Sequence, residues 1–159
     1  MRTSSFRPMS WFLRLAALAA AVLAAHAGAV EMRGFRGFAW GADADSLGVS
    51  QRVASEAGMQ CYRRDHENLL YGDSPLRDVR YCFHDDRLFL VIVESQVDEA
   101  TLTNEFQLSY GPPSQRAPAK SVWGDATSRT RVEIDGAPAS MRIWSNEYAP
   151  REKHASGMR

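Results

Sequence analysis

Six consecutive apolar residues, Leu88-Phe89-Leu90-Val91-Ile92-Val93, stand between Arg87 and Glu94. A strand with one face in water alternates apolar and polar residues, whereas a run without alternation has to be covered on both faces. Residues 87–94 are therefore expected to form a central strand. Immediately upstream, Val79-Arg80-Tyr81-Cys82-Phe83 leads into the turn residues His84-Asp85-Asp86, so the pair predicts a hairpin at the middle of an antiparallel sheet.

The remaining pattern is arranged around that hairpin. Residues 34–40 (GFRGFAW) alternate at period two and read as a first strand, with Phe38 and Trp40 on one face. Asp43 or Asp45 can cap a helix that begins near Ala44, with Leu47, Val53 and Ala54 as its apolar stripe and Gly48 and Gly58 weakening and then ending it. Residues 59–63 read as extended, with Met59, Cys61 and Arg63 on one face, and residues 69–71 as a short strand stopped by Gly72-Asp73-Ser74-Pro75. Asp98 caps a helix that runs to Tyr110, buries Leu102 and Phe106, and stops at Gly111-Pro112-Pro113. After a polar loop over 114–119, strands are expected at 120–123, 130–134 and 140–145, with Asp135-Gly136 as a hairpin signal. In the last strand Met141, Ile143 and Ser145 oppose Arg142 and Trp144. The expected fold is α+β, an antiparallel sheet with two helices packed on one face. Tyr71-Gly72-Asp73 and Trp123-Gly124-Asp125 each follow an expected helix, which raises an αβββ duplication as a weak further expectation.

The N-terminus sets the expected compartment. Arg2, Arg7 and Arg14 precede or open an apolar run over 15–25, followed by Ala25-His26-Ala27 and Ala27-Gly28-Ala29. Charge, a short apolar core and small-x-small sites, in that order, form the layout of a secretory signal peptide. The core is too short to span a bilayer, which takes about 20 apolar residues. The expected organisation is a leader over 1–29, one α+β domain over 30–148 and a disordered polar tail over 149–159. Removal of the leader leaves about 130 residues, a length that forms one domain with a real core. Such a chain is expected in the periplasm or outside the cell.

Charge and chemistry narrow the function classes. The chain carries 19 basic and 19 acidic residues, and loss of the three leader arginines leaves an acidic excess. That balance argues against a nucleic-acid partner, which demands a basic face, and it supplies no polybasic patch for stable membrane association. The two cysteines, Cys61 and Cys82, read first as a disulfide in an exported chain. The alternative joins Cys61, His66, Cys82 and His84 as a small-ligand or zinc or copper site, thiolate and imidazole being suitable ligands. Asp43-x-Asp45 is better explained as a helix cap than as a calcium loop, because Leu47 and Ala54 occupy ligand positions. The mature histidines are His66, His84 and His154, and no GxSxG, HExxH or phosphate-binding glycine loop occurs. No catalytic residue, cofactor or metal is therefore assigned, and the chain is not read as an enzyme. Arg142-Ile143-Trp144, beside Arg129 and Arg131, combines the residue types that dominate interface hot spots. Those four side chains, Arg129, Arg131, Arg142 and Trp144, are the candidate binding residues for a protein or cell-envelope partner.

Three segments carry a resemblance. They are Gly34-Phe35-Arg36-Gly37-Phe38-Ala39-Trp40-Gly41, the Tyr81-Cys82-Phe83 strand ahead of its Asp turn, and Ser109-Tyr110-Gly111-Pro112-Pro113. Together they resemble small exported bacterial proteins of unassigned function that share a FrGxxWG start and a late YGxP motif. At fold level the expected helix-then-meander order is similar to β-lactamase-inhibitor-like domains, which include the small lipoprotein of the outer-membrane β-barrel assembly machine. This chain lacks that lipoprotein's lipidated cysteine. The resemblance concerns fold, carries no function and supplies no catalytic residues. The expected role, from the absent catalytic chemistry and the aromatic and arginine positions of the last two strands, is an exported binding module, as an inhibitor or an assembly factor.

Overall fold

The structure, a computed structural model, describes residues 31–54 and 59–150. The expected leader and the tail beyond Pro150 lie outside the described residues. Gly34–Phe35 (β1) and Phe38–Ala39 (β2) form a hairpin about Arg36-Gly37. Both turn residues have positive φ, +49° and +85°, as a type I′ turn requires. The single strand expected over 34–40 is thus two short ones. Glycine at position 37 lets the chain reverse where the period-two pattern alone reads straight through.

The larger correction concerns the first helix. Asp43 does cap, its carboxylate accepting from the Ser46 N–H at 3.1 Å, but the element is a single 3₁₀ turn, Ala44–Leu47. Gly48 then takes φ +71°, and Ser50–Val53 (β3) runs antiparallel to Gln60–Arg64 (β4), from Ser50 opposite Arg64 to Val53 opposite Cys61. A short helix with a glycine inside and a thin apolar stripe is marginal. Pairing with β4 satisfies the same backbone groups and takes the segment. Two helices on one face is therefore wrong. The described residues form a mainly β fold with one α-helix.

Next along the chain come Leu70–Tyr71 (β5), Ser74–His84 (β6), Arg87–Ser95 (β7) and the helix Glu99–Tyr110 (α1). Gln115–Ala117 (β8), Lys120–Trp123 (β9), Thr130–Gly136 (β10) and Ala139–Ser145 (β11) complete the set. The main sheet is antiparallel, in the order β3-β4-β6-β7-β11-β10-β9-β8, with β5 paired to the start of β6. Strand β7 lies between β6 and β11, and every residue from Leu88 to Val93 is buried. Its unbroken apolar run is satisfied by a central position. Asp85 and Asp86 turn the β6–β7 hairpin with φ +48° and +59°, a conformation that aspartate tolerates better than most side chains. Strand β8 occupies part of the segment expected to be loop. The β10–β11 hairpin turns on Ala137-Pro138, joined by a cis peptide bond, just beyond the Asp135-Gly136 signal.

Helix α1 matches its expected ends. Asp98 accepts from the Thr101 N–H at 2.9 Å, and Gly111, with φ +77°, closes the last turn. Leu102, Thr103 and Phe106 are buried against the sheet. The Phe106 ring lies 4.6 Å from Trp123, 4.5 Å from Tyr110 and 6.2 Å from Tyr71, between ring centres. The αβββ duplication fails, since no α-helix precedes Tyr71 among the described residues. Its two aromatic-Gly-Asp motifs instead bring Tyr71 and Trp123 onto the same phenylalanine. This covered face also buries Val91, Val93, Val132, Ile134, Met141 and Ile143, with Met32 and Phe35 from the N-terminal hairpin region.

Candidate functional site on the uncovered sheet face

Alternation along β10 and β11 divides the two faces. Val132, Ile134, Met141 and Ile143 point into the covered core, so Arg131, Glu133, Arg142 and Trp144 stand on the opposite face. The register sets Arg131 opposite Trp144 and Glu133 opposite Arg142 on one side of β11, and Ile92 opposite Arg142 and Leu90 opposite Trp144 on the other. Three of the four expected binding residues therefore converge. Arg129 does not join them. It is exposed and lines a separate hollow of about 130 Å³ with Arg33, Trp40, Glu147 and Tyr148.

The converging residues border a shallow hollow of about 260 Å³ lined by Phe89, Leu90, Glu133, Arg142, Trp144 and Ala149. Phe89 reaches this face through a register shift. Cys82 pairs with Leu90 and Phe83 with Leu88, leaving Phe89 as the extra residue of a bulge. Sequence reading missed Phe89, Leu90, Glu133 and Ala149. Period two could have found Glu133, but nothing in the run 88–93 announces the bulge. Ala149, expected to begin the disordered tail, packs beside Leu90 and Trp144 and donates its N–H to the Ser145 carbonyl at 3.0 Å.

Charge on this face is ordered but uneven. Arg63 donates to Asp78 through Nε and Nη2, at 2.5 and 2.8 Å. Arg80 Nη2 donates to Glu94 at 2.9 Å, and its Nε lies 3.3 Å from Asp78. These four groups balance. At the hollow, Glu133 receives Arg131 Nη2 on Oε1 at 2.6 Å and Lys120 Nζ on Oε2 at 2.9 Å. Arg131 also places its guanidinium 5.4 Å from the centre of the Trp144 ring. Arg142, directly opposite Glu133, is exposed and makes no side-chain hydrogen bond or ion pair among the described residues.

A disulfide bond joins Cys61 and Cys82, which face each other across β4 and β6. Its sulfurs lie in the apolar cluster that includes Phe89, Leu90 and Ile92. With the sulfurs bonded to each other, neither serves as a thiolate ligand. His66 is exposed after β4 with φ +57°. His84 sits at the β6–β7 turn, with Nδ1 3.5 Å from Asp85 and its ring edge-on to Phe89. Among the described residues no group of three or more His, Cys, Asp or Glu side chains is placed to share a metal ion.

The densest polar cluster lies on the other face. Glu67, its side chain only 8% exposed, accepts from Arg36 Nη1 at 2.7 Å, from Tyr81 Oη at 3.0 Å and from Arg64 Nη1 at 3.4 Å. Burial, and then the Glu67 carboxylate, push the Tyr81 phenol well above its ordinary pKa. Arg36 belongs to the β1–β2 turn and Tyr81 to the central hairpin, so this cluster fastens the N-terminal hairpin to the sheet. Among the described residues no helix is long and apolar enough to cross a membrane. Comparison of the chain with protein-family models, with curated proteins and with solved structures gives no match.

Proposed function

We propose that this chain is an exported, non-enzymatic binding module that engages a protein or another cell-envelope component, as an inhibitor or an assembly factor. The contact surface is the sheet face carrying Arg131, Arg142 and Trp144. One observation carries this reading: an unpaired, exposed arginine stands beside an open hollow of Phe89, Leu90 and Trp144. Tryptophan and arginine are the residue types whose burial against a partner contributes most to affinity. Two features support export. The leader has the order of a secretory signal, and a disulfide persists in oxidising compartments. The reading involves no nucleic acid, no cofactor, and no stable membrane insertion once the leader is removed.

The test is a photo-crosslinking residue placed at Trp144 in one variant and at Leu108 in another, in cells that export the protein. Leu108 is 81% exposed on α1, across the sheet from the hollow. Crosslinked adducts at 144 and none at 108 are expected. Equal yields at the two positions, or full-length reduced protein retained in the cytoplasm, would remove the proposal.

A further inference from the structure

We infer that the partner presents an extended acidic–apolar segment, a carboxylate two residues from one bulky apolar side chain. This rests on the binding-module reading above and names the chemistry of its contact. Glu133 stands among Lys120, Arg131 and Arg142 with its two oxygens held by Lys120 and Arg131, and the exposed Asp135 lies opposite Lys120, outside the lining of the hollow. Arg142 stands opposite it in register with its donors free. Around the hollow three cations, Lys120, Arg131 and Arg142, therefore meet two carboxylates, Glu133 and Asp135, an excess of one positive charge with Arg142 the unpaired cation. Arg63, Asp78, Arg80 and Glu94 farther along the face are balanced. Covering an unpaired guanidinium with a neutral surface leaves a desolvated charge without compensation. A carboxylate removes that penalty and fits the planar fork of an arginine with two parallel hydrogen bonds.

The apolar half of the motif follows from the hollow itself. Phe89 and Leu90 form a nearly buried floor, Trp144 is half-buried beside them, and the volume of about 260 Å³ suits one inserted side chain. Arg142 and Trp144 are residues i and i+2 of one strand, so their side chains rise about 7 Å apart on the same face. A partner in extended conformation offers the same spacing between alternate residues, one acidic and one apolar. An anionic membrane is a poorer fit. Lipid-binding patches cluster about 4–8 basic residues, and this site holds three basic residues beside the carboxylates of Glu133 and Asp135.

The probe is a displayed library of random heptapeptides, selected on the oxidised leaderless protein and counter-selected on Arg142→Glu. Enrichment of Asp or Glu two residues from Leu, Phe, Met or Trp is expected. The synthesised consensus peptide should bind at least ten-fold more weakly to Arg142→Glu, and so should its acid-to-lysine counterpart to the unaltered protein. Arg142→Gln, with an unchanged melting temperature, should show the same loss and exclude misfolding as the cause. Absence of enrichment, a basic or wholly apolar consensus, or peptides retained by Arg142→Glu would overturn the inference. So would Arg142-dependent binding of phosphatidylglycerol vesicles, or self-association that Arg142→Glu abolishes. If crosslinking at 144 persists in cells while no acidic–apolar peptide is selected, the partner chemistry alone fails. Loss of both signals would sink the module itself.

Discussion

A carboxylate as enclosed as Glu67 is held by the cations around it. Replacing it with alanine leaves the Tyr81 hydroxyl without its acceptor and strips Arg36 of its counter-charge, leaving that guanidinium only the Asn68 and Leu70 carbonyls. Hydrogen bonds to charged groups contribute about 1.5–3 kcal/mol, so Glu67→Ala should cost roughly 2–3 kcal/mol in urea unfolding. Buried tyrosines, Tyr81 of this contact among them, set the alkaline stability. Tyr71 and Tyr81 are both held above the ordinary tyrosine value, chiefly by burial. Unfolded tyrosines ionise near pH 10. The stability these two confer is therefore complete below about pH 10 and lost as pH rises through the folded values. Glu67→Gln removes the neighbouring anion, so phenolate absorbance should show Tyr81 ionising at lower pH. The acid end has the opposite sign. Asp98 is lowered by the Thr101 hydrogen bonds, and Asp125 by the Thr127 side chain, the Thr127 N–H and Ser128. Their contribution is present above the usual carboxylate range and lost as pH falls through the lowered folded values. Asp98→Asn and Asp125→Asn keep an accepting oxygen, and each should flatten the acid side of a melting-temperature profile.

Among the elements, α1 and the β3–β4 edge make contrasting demands. Phe106 fills the space between Tyr71, Tyr110 and Trp123, and Phe106→Ala should cost about 3–5 kcal/mol and collapse the near-UV aromatic signal. Strand β4 meets β6 over three pairs only, Gln60–Phe83, Cys61–Cys82 and Tyr62–Tyr81, with the disulfide at their centre. A closed loop of this size stabilises by about 3 kcal/mol in the chain-entropy model. Cys61→Ser with Cys82→Ser should lose about that much, and hydrogen exchange should accelerate in β3 and β4 before β7 or β11. These cases explain which elements the sequence discloses. Helix α1 carries its own capping aspartate, buried stripe and terminal glycine, and β7 carries an apolar run that only a central place can satisfy. Strand β3 carries no such signature. Ser50-Gln51-Arg52-Val53 becomes a strand because β4 lies beside it, a tertiary cause with no local trace. The β1–β2 hairpin was half visible, since its alternation is local but its reversal depends on Arg36 and Gly37 both taking positive φ.

For the whole molecule, the sheet has two unlike faces, one packed beneath α1 and one on which the proposed contact residues stand beside the disulfide. The site was legible to the extent that alternation could place Arg131, Arg142 and Trp144 on one side. Their charge state was not, because the saturation of Glu133 by Lys120 and Arg131 depends on the β9–β10–β11 register. That register yields a prediction in two measurements. Ile143 is fully buried between β7 and β10 beneath α1, so Ile143→Ala should cost about 2–5 kcal/mol. Arg142, its neighbour on the other face, is exposed and unpaired, so Arg142→Ala should change stability by no more than about 0.5 kcal/mol. Crosslinking yield should follow the reverse order. At a temperature where both variants are folded, Ile143→Ala should retain the adduct at position 144 and Arg142→Ala should lose most of it. A core substitution that removes the adduct while the domain remains folded would show that the partner depends on the covered side of the sheet, and an Arg142→Ala variant that keeps the adduct would show that the partner meets this face without using Arg142.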